Sequence, residues 1–169
     1  MIRRTFGSWR NVLAGLAIGA LASSAALAGT TGSVTLGGTV ASTLSIAVAP
    51  TATASALPLD GEGSASEHIV KVAALTMGTN NEQGFTLTAS SGDIVKSGGT
   101  SISYQVTSVD AGGSAPASGD FLVASGSNYT YATSGSGPGN QDLYVKYTPL
   151  SLQDPGSYSA TINLTVTDN

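Results

Sequence analysis

Cysteine is absent from the 169-residue chain. With it go disulfide frameworks, thiolate-held zinc or iron–sulfur centres and thiol nucleophiles. Charge is scarce too, at 9% of residues against about a quarter in an ordinary soluble domain. Arg3, Arg4 and Arg10 crowd the start of the chain, and Lys71, Lys96 and Lys146 are the only other basic residues. Three scattered lysines make no stripe for neutralising phosphates, which argues against nucleic-acid binding. His68 is the single histidine. That excludes a multi-histidine metal site and leaves one residue for any Ser-His-Asp triad; no Gly-x-Ser-x-Gly elbow accompanies it. Helical patterning is missing from the body of the chain as well. The most alanine-rich window there, residues 52–56, has no cap and is interrupted by Thr53 and followed by Pro58.

What is present begins with an export signal. The arginines are followed by an apolar run at residues 12–22 and then by Ala26-Leu27-Ala28, the A-x-A pattern of a signal-peptidase site. The run is well short of the roughly 20 residues that span a bilayer, so residues 1–28 read as a cleaved signal peptide and not as an anchor. The expected mature chain, residues 29–169, is a single secreted or cell-surface domain with no membrane span. It keeps three lysines against all 10 acidic residues, a net charge of −7. Serine and threonine supply 40 of its 141 residues. An exported protein without disulfides draws its stability from the sheet itself or from neighbouring subunits.

The hydrophobic period after the signal is two. Val34, Leu36, Val40, Leu44, Ile46 and Val48 all occupy even positions among small and hydroxylated residues, which places them on one face of extended chain. Gly37-Gly38 marks a bulge, a bend or a boundary in that run. Residues 69–75, 85–89, 94–95, 102–106, 143–147 and 158–166 read as further strands, and 121–124 with 129–132 as a hairpin across Ser125-Gly126-Ser127-Asn128. Residues 80–84, 90–93 and 154–156 carry turn chemistry, and the Gly/Ser-rich residues 133–140 read as a flexible loop. The predicted fold class is all-β: an antiparallel immunoglobulin-like β-sandwich of about seven to nine short strands.

Candidate sites are few. Asp60, Glu62, Glu67 and His68 cluster before one strand, and clustered carboxylates suit a hard cation. The Asp60-x-Glu62 spacing matches the start of a calcium loop. Ser64 nevertheless takes the third acidic position and Lys71 the twelfth, and the plainer reading is a solvated acidic connection. Asp93, Asp110, Asp120, Asp142 and Asp154 each sit at a turn or strand edge, where capping explains them without catalysis. Tyr129, Tyr131, Tyr144, Tyr147 and Tyr158 read as strand-pairing residues. No cofactor and no catalytic residue is assigned, and the expectation is a non-enzymatic protein.

Residues 155–166, Pro-Gly-Ser-Tyr-Ser-Ala-Thr-Ile-Asn-Leu-Thr-Val, resemble the last strand of chaperone–usher pilus subunits and of related spore-coat-U-like secreted proteins. In those pilins an alternating strand follows a glycine about fourteen residues from the end, and Gly156 is the fourteenth residue counting back from Asn169. Residues 30–40 look like a pilin donor extension, with Val34, Leu36 and Val40 as pocket-filling residues and Gly38 where such extensions often carry glycine. The resemblance implies that the extension, residues 29–40, completes the incomplete sandwich of a neighbouring subunit. It also implies that Gly156, Tyr158, Ala160, Ile162, Leu164 and Val166 belong to the strand a periplasmic chaperone reads. The penultimate residue is Asp168 where that family usually has tyrosine, and the family's common cysteine pair is missing.

A second resemblance is to WxL cell-surface domains. Residues 84–90 look like their first Trp-x-Leu segment with Phe85 for tryptophan, and residues 158–168 like their closing segment with Leu164 for tryptophan. With both tryptophans replaced, the wall binding of that family does not carry over. What carries over is an extracellular sandwich whose terminal strands lie close together. The expected function is therefore a pilin-like structural subunit assembling by β-strand donation, with other copies or related subunits and a periplasmic chaperone as partners. The alternative is a self-contained surface module that binds cell wall, glycan or another protein.

Overall fold

The computed structural model describes residues 30–59, 63 and 65–169. Residues 1–28, read from the sequence as a signal peptide, lie outside them, as do Asp60 and Glu62. Contacts divide the chain after Gly38. Residues 30–38 contain no strand, and Val34 and Leu36 are exposed.

The unit Thr39–Asn169 holds nine strands among its described residues: β1 (Ser45–Pro50), β2 (His68–Thr79), β3 (Phe85–Ala89), β4 (Gly92–Ile94), β5 (Ile102–Asp110), β6 (Tyr129–Ala132), β7 (Gly137–Pro138), β8 (Gln141–Tyr147) and β9 (Leu164–Asp168). They form two antiparallel sheets. The larger has the order β1-β2-β8-β5-β4 with β7 also paired to β2, and the smaller has the order β6-β3-β9. The fold is thus the antiparallel β-sandwich that period-two alternation calls for, with no α-helix among the described residues.

The core lies between the two inner faces. Phe85, Leu87 and Ala89 of β3 point into it and are fully buried. Leu143, Val145 and Tyr147 of β8 face them with Tyr104 and Val106 of β5. Strand β2 holds its alternation by changing parity. Lys71 pairs with Tyr144 and Ala73 with Leu143, so Val72 is an extra residue in a bulge, and Val72 and Ala73 are both buried. Before the bulge the even positions face inward; after it the odd positions Leu75, Met77 and Thr79 do. The turn into β3 depends on Gly84, whose φ is +79°. A Cβ there would lie 2.3 Å from the Thr133 carbonyl oxygen, so backbone and space both demand glycine.

Several expectations need correction. The alternation of residues 34–40 does not become a strand; the described residues 30–44 contain none, because period two shapes a strand only where another strand supplies its hydrogen bonds. Residues 121–124 form no hairpin with β6, which pairs with β3 instead. The Gln105 side-chain amide donates to the Phe121 and Val123 carbonyls, at 3.1 and 2.7 Å, drawing that segment onto the outer face of β5. Within the segment read as flexible, Gly137 and Pro138 pair with Thr79 and Gly78. Asp142 is not at an edge: it lies within β8, buried.

Candidate functional site

The two sheets differ in width, and the difference leaves a groove. At about 4.8 Å per strand, five strands span about 24 Å and three only about 14 Å. The smaller sheet therefore leaves part of the larger one's inner face uncovered. The result is a groove of about 670 Å³, whose walls include Val48, Val72, Leu143, Val145, Ile162 and Leu164.

One wall is the C-terminal segment. It first bridges Val95 through Ser159, with both backbone bonds at 2.9 Å. Ser90 N–H then donates to the Asn163 carbonyl at 3.0 Å, and β9 follows β3 from Ala89↔Leu164 to Phe85↔Asp168. The segments carrying the WxL-like residues are thus neighbours in one sheet. Among the described residues β9 pairs with β3 alone and β1 with β2 alone, so each leaves one edge without a strand. Tyr158, Ile162, Leu164 and Val166 share an inward parity but are only half-buried, and Ala160 is exposed. On the opposite wall Val48 of β1 is 45% exposed. A complete sandwich buries such rows, as β3 does in this same molecule.

The start of the C-terminal segment is pinned by its loop. Tyr158 Oη donates to the Asp154 carbonyl at 3.1 Å and accepts from Gln153 Nε2 at 2.7 Å. Gly156 has φ +139°, and a Cβ there would come within 2.5 Å of Lys96 Cε.

At the far end Asp168 ties the sheets together. Its two carboxylate oxygens accept from Ser42 Oγ and Thr79 Oγ1, each at 2.6 Å. These hydroxyls, Ser42 first, hold its carboxyl below the usual carboxylate range. Asn80 fixes the residues on either side of Ser42, accepting from Thr43 N–H at 3.0 Å and donating to the Ala41 carbonyl at 2.8 Å. Ser42 and Thr79 carry no sequence signal of this task, because their common partner Asp168 is 126 and 89 residues away, and Asn80 reaches across 37 and 39 residues to the chain around Ser42.

No protein-family model, curated protein or solved structure matches the chain.

The structure brings Tyr158, Ala160, Ile162 and Leu164 together on one wall of the groove, while Val166 packs, partly buried, against the core beyond it. Of the donor candidates, Val34, Leu36 and Val40 are 86%, 90% and 88% exposed, and Gly38 is exposed with them. The acidic cluster is described only in part. Glu67 accepts from Ser118 Oγ at 2.9 Å, and His68 opens β2 opposite Tyr147, with ring centroids 5.4 Å apart. Among the described residues no group of three or more His, Asp or Glu is placed to hold a cation.

Proposed function

We propose that this chain is an exported structural subunit that assembles by strand donation, residues 29–40 of one copy filling the groove of the next. The observation that supports the reading is the pair of unmatched apolar rows. Tyr158, Ile162 and Leu164 face inward over an open groove, while Val34, Leu36 and Val40 sit exposed at strand spacing. Full burial of a valine or leucine side chain contributes about 1.5–3 kcal/mol, and three such side chains on one arm give a sizeable apolar gain. Backbone hydrogen bonds along a free edge add to it, which is β-augmentation. The contact is heterologous, arm of one copy to groove of another, and such contacts generate open filaments. An uncovered groove is an aggregation hazard, so the reading implies a periplasmic chaperone that shields it before assembly.

The test compares the mature chain, residues 29–169, with and without residues 29–40. The full mature chain is expected to form ladders on non-denaturing electrophoresis and filaments by electron microscopy. The deletion is expected to leave an unstable or chaperone-dependent subunit. Two equally stable monomers would overturn strand donation and leave the self-contained surface module as the reading.

A further inference from the structure

Between β1 and the start of β2 the chain passes over the mouth of the groove. Residues Ala52–Ser55 form a single 3-10 turn whose flanking residues supply no side-chain cap. Residues 51–59 pair with no strand. Ala54, Leu57 and Leu59 nevertheless pack against the core and line the same groove as Val48 and Ile162. All three are only partly buried.

The attachments of this segment are lopsided. Its start is tied down: Thr51 N–H donates to the Val72 carbonyl at 2.9 Å and Thr51 Oγ1 to the Lys71 carbonyl at 2.8 Å. Beyond Thr51 the backbone bonds are the turn's own, Ala54 N–H to Thr51 O and Ala56 N–H to Thr53 O, both 3.1 Å. Tyr147 Oη adds a bond to the Pro58 carbonyl at 3.0 Å, and Pro58 has no N–H to give. Segments with few backbone ties and partial burial open first. Pulling Leu57 and Leu59 away breaks no sheet ladder, whereas displacing any strand does.

We infer that residues 52–59 are a displaceable plug, seated in the groove of the unassembled subunit and expelled by residues 30–40 of a second copy. The inference rests on the strand-donation reading. Its logic is an exchange of like for like. The plug offers Ala54, Leu57 and Leu59; the arm offers Val34, Leu36 and Val40. Apolar burial is therefore roughly conserved, while the arm gains the backbone ladder that the plug cannot make. Such a plug slows premature assembly, since it must leave before the arm can seat, and the contacts it gives up are subtracted from the net gain of assembly.

The experiment uses the mature chain carrying Leu36→Asp, which disables its own arm, as acceptor. A fluorescent peptide of residues 30–40 is the probe, and stopped-flow or anisotropy gives its association rate. Leu57→Ser with Leu59→Ser in the acceptor is expected to raise that rate several-fold and to lower the melting temperature of the free acceptor. A second acceptor carrying only Leu57→Ala keeps the comparison available if the double variant fails to fold, with a smaller increase expected. If the peptide binds the Leu36→Asp acceptor but plug substitutions leave the rate unchanged or lower it, the plug is wrong and strand donation stands. If the peptide fails to bind every acceptor, strand donation itself is overturned.

Discussion

Asp142 shows how far single positions can be understood from their neighbours in sequence. Beside Asn140 and a glycine-rich run it reads as one more turn carboxylate. For Asp120 and Asp154 that reading fits, Asp120 accepting from Ala117 N–H at 2.8 Å and Asp154 from Thr100 N–H at 3.3 Å, whereas Asp93 accepts from Ser101 and Ser103 Oγ and Asp110 from Gln141 Nε2, all side chains on neighbouring strands or next to them. Asp142 instead lies buried in β8 with Lys71 Nζ 2.6 Å from its carboxylate and Gly112 N–H 3.1 Å away. Those partners sit on another strand and in a distant loop, so proximity in sequence gives no hint of them. The Lys71 hydrogen bond, helped by Gly112, holds the Asp142 carboxyl below the ordinary range against the opposing effect of burial. Asp168 is lowered in the same sense. An unfolded aspartate titrates near 3.9, so just below that value the unfolded chain binds more protons than the fold does. The stabilisation from both groups is therefore present in full above about pH 5, and is lost as pH falls through 4 toward the native values. Urea unfolding should show a midpoint that is flat above about pH 5 and drops below pH 4. Asp142→Asn should lower the neutral-pH stability by about 1–3 kcal/mol, a buried bond to a charged partner being lost, and should flatten part of the acid limb. An acid limb identical to that of the parent would show that Lys71 contributes nothing through Asp142.

At the scale of elements, β2 carries the least expected feature. The sequence around it, His-Ile-Val-Lys-Val-Ala-Ala-Leu, suggests a strand because β-branched residues dominate. It does not alternate cleanly, and the bulge at Val72 is the reason. Apolar parity moves from Val70 and Val72 to Leu75 and Met77, and that switch is visible in the sequence once a bulge is allowed. The hairpin expected at 121–132 failed for a different cause. Phe121 and Val123 give their carbonyls to the Gln105 side chain, so a long-range partner takes the place of a second strand, although the Ala124–Ser127 turn itself forms with Ser127 N–H donating to the Ala124 carbonyl at 3.1 Å. The bulge predicts an asymmetry between two one-residue deletions. Removing Val72 restores regular alternation through β2, so the chain should still fold, losing about 1–3 kcal/mol for the missing buried side chain. Removing Thr76 makes Leu75 and Met77 adjacent, so one of the two must face outward however the strand shifts, which should abolish cooperative folding. Thermal unfolding by circular dichroism separates the two. Equal tolerance of both deletions would mean that inward parity does not hold this strand in place.

For the molecule as a whole, both candidate assembly faces were visible as alternation at the two chain ends, but the groove was not. Its existence follows from a five-strand sheet facing a three-strand one, and strand counts per sheet come from pairings between residues far apart in sequence. On the strand-donation reading, the same geometry fixes how assembly should respond to salt. Residues 30–40 contain no charged side chain, and among the described residues none lines the groove, so strand donation would form no ion pair with them. The bodies themselves are alike and acidic: residues 39–169 carry three lysines against 10 acidic side chains, a net charge of −7. Approaching copies therefore repel over the Debye length, about 10 Å at 0.1 M salt and about 3 Å at 1 M. Raising sodium chloride across that interval should speed ladder formation by the mature chain and leave the dissociation rate nearly unchanged, since only the encounter is electrostatic. An interface held by ion pairs predicts the opposite sign, slower association and faster release in salt. Light scattering across a salt series at pH 7 reads both rates, and slower growth at high salt would place the contact on charged loops instead of the apolar groove.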